Sequence, residues 1–196
     1  MRNSVFDYID NLDTLLAVVI GALLATGGAL VAELVQDRLG QKRRERDAAR
    51  FFGEILASVD RVLDRAFASM EVGERWGDVT QRLFRTAARE TAIYERNRER
   101  LFEIRDIELR RTIHTHFLVE TVPLLALLED SEEIAQMEKD LHDGSHLDDA
   151  KRKTTLDLLA IKRENREVAL RSVQSAHART EDICRQLEPI AGLSFE

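Results

Sequence analysis

A chain of 196 residues with a net charge of −7, 33% charged residues, two prolines and nine glycines has the composition of a helical protein. Its acidity argues against a general nucleic-acid binder, so no nucleic-acid partner is expected. The single cysteine, Cys184, excludes an intramolecular disulfide and suits a reducing compartment.

Thr14 to Ala32, TLLAVVIGALLATGGALVA, is a run of nineteen residues without a charge. As a helix rising about 1.5 Å per residue it covers roughly 28 Å, close to the thickness of a bilayer's hydrocarbon core. Residues 14–35 are therefore predicted to be a transmembrane helix, preceded by a short extracytoplasmic segment, 1–13. That segment carries one Arg against three Asp, unlike the positive flank of a cleaved signal peptide. A basic juxtamembrane helix, 36–50, follows, with Arg38, Lys42, Arg43, Arg44, Arg46 and Arg50 opposed only by Glu45 and Asp47 beyond Arg38. Positive flanks remain in the cytoplasm, which places the N-terminus outside and the rest of the chain inside a single-pass inner (plasma) membrane. The same six residues are the candidate contacts for anionic lipid, at about 1 kcal/mol each. Within the anchor, Ala17, Gly21, Ala25 and Ala29 recur every four residues, with Gly28 alongside. Small residues at this spacing let two helix backbones approach closely in lipid, so these five form a candidate membrane-helix association face.

Residues 51–190 read as a cytosolic helical bundle and 191–196 as a short frayed tail. The apolar residues Phe52, Ile55, Leu56, Val59, Val62, Leu63, Ala66, Phe67 and Met70 follow the spacing of an amphipathic helix. With no stop signal before Gly73, the anchor is expected to continue into this helix as far as about Val72. GERWG, 73–77, reads as a turn, and Asp78 with Gln81 as a capping box. The second helix is expected to bury Val79, Leu83, Ala87, Thr91, Tyr94, Leu101, Ile104, Ile107 and Ile113, with Asp106 and Arg110 paired on its charged face. FLVETVPLLALL, 117–128, is too short and too broken by Glu120 and Pro123 to span a bilayer. It reads as a kinked or restarted helix, either core or in contact with the membrane surface. A short helix, Asp130 to Leu141, and a last long one, from about Asp148 to Glu188, complete the chain, with Pro189 and Gly192 ending it. The expected fold is all-α: one transmembrane helix continuing into an antiparallel bundle of three long helices plus a short one.

Catalytic signatures are absent: there is no phosphate-binding glycine loop, cysteine cluster or nucleophile elbow, and neither enzymatic activity nor a cofactor is expected. His114 and His116 point about 200° apart on a helix and cannot share a metal. His142 and His146, with Asp143, Asp148 and Asp149, are close in sequence but match no ligand pattern and read as a solvated acidic loop. From Glu129 to Asp149 nine acids face one base, Lys139. In an up-down-up bundle this acidic stretch would return beside the basic residues 38–50, bringing Asp140 near Arg46.

The anchor, the run Lys42-Arg43-Arg44-Glu45-Arg46 and the helical remainder together resemble the layout of uncharacterised bacterial single-pass inner-membrane proteins with a cytosolic helical domain. The resemblance implies a bacterial inner membrane and nothing about activity. The function expected is a membrane-anchored interaction or scaffold protein that contacts lipid, forms a homo-oligomer or tethers a cytosolic protein. The alternative is an oligomeric membrane effector or channel-like protein, for example of a bacterial defence or toxin system.

Overall fold

The computed structural model describes residues 6–143 and 148–195, with side chains from residue 16 onward. Among these residues there is helix and no strand. The elements are α1 (Phe6–Val72), α2 (Asp78–Arg96), a 3-10 segment (Arg98–Glu103), α3 (Ile107–Asp143), α4 (Asp149–His177) and α5 (Thr180–Ala191). The chain divides into two compact units, 1–44 and 45–196.

The first unit is helix that is long and apolar enough, by length and composition, to cross a membrane. Every residue from Leu16 to Leu39 is exposed, with Leu23 and Leu24 at 69% and 72%. A helix in water keeps one polar face, and this one has none over its apolar stretch.

The second unit has a single hydrophobic core. From α1 it takes Phe52, Leu56, Val59, Leu63 and Ala66, whose four-three spacing lays them along one face. Phe84, Ala87 and Tyr94 of α2, Ile113, Phe117, Leu124 and Leu127 of α3, Leu170 and Val173 of α4, and Leu187 of α5 close over it. Tyr94 stacks on Phe117 at 3.9 Å between ring centroids and contacts Phe52 edge-on, so α1, α2 and α3 meet at one aromatic cluster.

The element boundaries differ from the sequence reading in four places. The expected second helix is two elements. Asn97 ends α2 by returning its side-chain amide to Ile93 O at 2.8 Å. Asp106 then starts α3, its carboxylate accepting from Glu108 N (2.9 Å) and Leu109 N (3.1 Å). Asp106 is a cap rather than the partner of Arg110, and the phase shifts accordingly, with Val79 and Ile107 exposed and Phe84 buried.

Second, α3 runs unbroken through Pro123 and Asp130. Proline removes one backbone bond from the helix, and burial of Leu124, Leu127 and Ile134 along the same face offsets that loss. The stretch 117–128 is thus half core, with Phe117, Leu124 and Leu127 buried and Leu118, Val122 and Leu125 exposed. Third, the last long helix is broken at Ala178–Arg179 into α4 and α5. Asp148 caps α4 through Lys151 N at 2.7 Å. Pro189 lies within α5, which ends at Gly192 in the left-handed conformation, φ 69°. Fourth, the tail packs: Phe195 is buried over Gly53.

The acidic stretch lies elsewhere than expected. Asp130 and Glu133 pair with Lys162 (2.9 and 2.8 Å), Glu138 with Arg163 (2.6 Å) and Glu132 with Arg85 (3.3 Å). Of these groups, Glu132, Glu138, Arg85 and Arg163 line a cleft with Trp76 and Gln81, at the α1–α2 turn. Arg50 lies 22 residues before Val72, about 33 Å along α1, and there Arg50 meets Ala191 and Glu45 meets Arg105. Three traverses, α1, α2 and α3, lead to the acidic stretch, so the C-terminal half of α3 lies beside the α1–α2 turn.

Candidate functional site

Ala17, Gly21, Ala25, Gly28 and Ala29 are all exposed, and nothing lies within 4 Å of a Cβ placed on Gly21, Gly27 or Gly28. Of the basic residues, Arg38, Lys42, Arg43, Arg44 and Arg46 are exposed. Arg50 is set apart from them: it is half-buried, and its Nε donates to Ala191 O at 2.9 Å. That bond satisfies a free carbonyl at the C-terminus of α5 and places a cation at the negative end of its dipole. Of the acidic-loop residues, His142 and Asp143 are exposed at the end of α3, and His146 lies outside the described residues.

The structure also assembles a polar cluster in the second unit that the sequence reading did not find. Asp60 and Asp64 lie one turn apart on α1. His177, in the last turn of α4, stands between them. Its Nδ1 is 2.7 Å from Asp60 Oδ1, and its Nε2 is 3.0 Å from Asp64 Oδ1. The Asp64 contact is aligned as a hydrogen bond, whereas Nδ1 is buried without an aligned partner. Phe67 closes one side of the imidazole edge-on at 5.3 Å.

Behind this trio, α3 presents His116 and Glu120, also one turn apart and almost entirely buried. His116 Nε2 is 3.5 Å from Glu120 Oε2 and 3.3 Å from Thr180 Oγ1, the first residue of α5. Neither carboxyl oxygen of Glu120 has a hydrogen-bond partner. The break at Ala178–Arg179 sets Thr180 against His116 and leaves His177 facing α1.

These environments shift the protonation of each group. Burial pushes Glu120 up to about 7, with His177 opposing and Asp60 adding to the rise. Burial pushes His116 down to about 4, assisted by Arg179 and opposed by Asp60. The close contact with the Asp60 carboxylate is the largest influence on His177, and with the charge of Asp64 it raises that imidazole against its burial. Burial raises the Cys184 thiol to about 11, which makes it inert rather than nucleophilic. A neutral imidazole, a protonatable buried acid and a second imidazole held by two carboxylates thus share one region of the bundle.

The sequence carries only a faint trace of this arrangement. Asp60 and Asp64, like His116 and Glu120, have the four-residue spacing that places side chains on one helix face. His177 stands 113 residues from Asp64, and no local pattern joins them. No protein-family model, curated protein or solved structure matches this chain.

Proposed function

We propose that this protein is a membrane-anchored helical interaction protein. It self-associates, or tethers a cytosolic partner at the inner membrane. The observation that carries this reading is the contrast between the two units. One is an apolar helix exposed on every face, and the other is a domain with its own buried core and no further segment of comparable apolar length among the described residues. Lipid is the solvent that satisfies the first unit, because such a helix solvates its backbone internally and its side chains in hydrocarbon.

In this reading the exposed Arg38, Lys42, Arg43, Arg44 and Arg46 hold the cytoplasmic side, in contact with anionic headgroups. The N-terminus is outside and the bundle is cytoplasmic. The Ala17-Gly21-Ala25-Ala29 face packs against the same face of a second copy, and its open glycines favour that close approach.

The deciding experiment is the mass of the detergent-solubilised full chain. A multiple of the 22.4 kDa protomer that falls to the monomer on replacing Gly21 and Ala25 by Leu supports self-association through this face. A monomer that carries a stoichiometric second protein supports tethering. A bare monomer in every detergent, or recovery of the chain without membranes, refutes the reading. Ion conductance of the oligomer in planar bilayers would select the channel-like alternative.

A further inference from the structure

We propose that Asp60, Asp64 and His177 form a binding site for one divalent transition-metal ion of the Mn2+ or Zn2+ class, with the buried Glu120 behind it. Each of the three residues offers a ligand atom, and these atoms all lie within 4.8 Å of one another. Two ligands held at about 2.0–2.2 Å from one ion stand roughly 3–4 Å apart, so the 3.0 Å between His177 Nε2 and Asp64 Oδ1 already suits a shared ion. Carboxylate oxygen and imidazole nitrogen together select Mn2+ or Zn2+ over Cu+, which prefers sulfur, while the imidazole disfavours Ca2+ and Mg2+.

An independent observation points to a missing cation. Glu120 is 1% exposed, and both of its oxygens lack a hydrogen-bond partner. Buried carboxylates are normally paired or hydrogen-bonded, and the charged groups that this one faces are His177 and Asp60. Asp60 and Asp64 thus bring two carboxylates to a single imidazole that can balance at most one of them, with the unpartnered Glu120 buried behind. A divalent ion between the α1 carboxylates and His177 supplies the missing charge. The site has an entry path, because Asp64 is exposed and Asp60 lines a cleft of about 230 Å3 with Arg61, Thr180 and Cys184. The ligands come from α1 and α4, two helices distant in sequence, so a bound ion would cross-link the bundle and favour its folded form.

The experiment uses the detergent-solubilised full chain, stripped with chelator and then titrated with MnCl2 by loss of the free-ion electron paramagnetic resonance signal, and with ZnCl2 by calorimetry. The expected result is one ion per chain. Asp64→Asn and His177→Gln should each weaken binding by about tenfold or more, and Glu120→Gln by a smaller factor. His142→Ala, in the acidic stretch, should leave binding unchanged. Asp64 is mostly exposed, so Asp64→Asn retains the fold even if His177→Gln does not. Absence of saturable binding of either ion, or equal binding by wild type and Asp64→Asn, would overturn the proposal.

Discussion

The ring of Phe195 lies over Gly53, in the space that a Cβ on residue 53 would occupy. The last helix turns at Gly192, and Glu188 Oε1 holds the returning chain through Ser194 Oγ (2.8 Å) and Phe195 N (3.2 Å). Glycine in mid-helix costs about 1 kcal/mol in propensity, and here it admits an aromatic ring to the core. Gly53→Ala should therefore destabilise the protein by about 2 kcal/mol despite improving helix propensity, and Phe195→Ala by about 3 kcal/mol. The double variant should lose less than the sum, because both changes remove the same contact. Chemical denaturation of the second unit's core, followed by Trp76 fluorescence, measures all three.

Glu120 makes stability depend on pH in an unusual direction. Its folded value, about 7, is above its ordinary value of 4.5, so the folded state binds more protons between those limits. Stability from this residue is present below about 4.5 and is lost as pH rises through 7. Glu120→Gln, compared with wild type in chelator, should be close to neutral at pH 4.5 and more stable by roughly 3 kcal/mol at pH 8. His116 acts oppositely: its folded value of about 4 is below 6.5, so its contribution is present above 6.5 and is lost as pH falls toward 4. The difference between the two proteins isolates Glu120, and thermal unfolding across pH reads it. A difference that shrinks with rising pH would contradict the assignment.

Arg50 and its basic neighbours should separate by assay. Arg50→Ala removes the hydrogen bond to Ala191 O and should lower stability by about 1 kcal/mol. Replacing exposed Arg43, Arg44 and Arg46 by Gln should leave the unfolding midpoint unchanged and reduce binding of a peptide spanning residues 36–50 to anionic vesicles, about fivefold per residue. Equal stability losses in both sets would show that the whole run is structural.

Asp106 should behave as a cap. Asp106→Ala leaves two backbone N–H groups of α3 without their acceptor and should cost about 1 kcal/mol, while Asp106→Ser should recover most of it. An Arg110→Ala change, which would matter if the two side chains formed a pair, should be close to neutral.

Local signals proved legible where one element settles its own conformation. The apolar face of α1 from Phe52 to Met70, the turn at 73–77 and the start of α4 at Asp148 are all where period and capping chemistry put them. The signals failed where distant packing competed. Pro123 and Asp130 are ordinary stop and start residues, yet α3 continues through both because the face it buries extends past them. Asp130 is turned inward to Lys162, whose carrier helix lies some thirty residues away.

The amino-acid sequence by itself determined the helical class, the uncharged run at 14–32 and the basic stretch after it, because composition and period act within one segment. The tertiary structure alone decided that α3 carries the acidic residues Glu132 and Glu138 to the α1–α2 turn. It also decided that Gly53 receives Phe195, and that His177 stands between Asp60 and Asp64 with Glu120 behind. Each of these joins residues far apart in the chain. Their energies come from burial and from charges meeting in a space that exists only once the helices have packed.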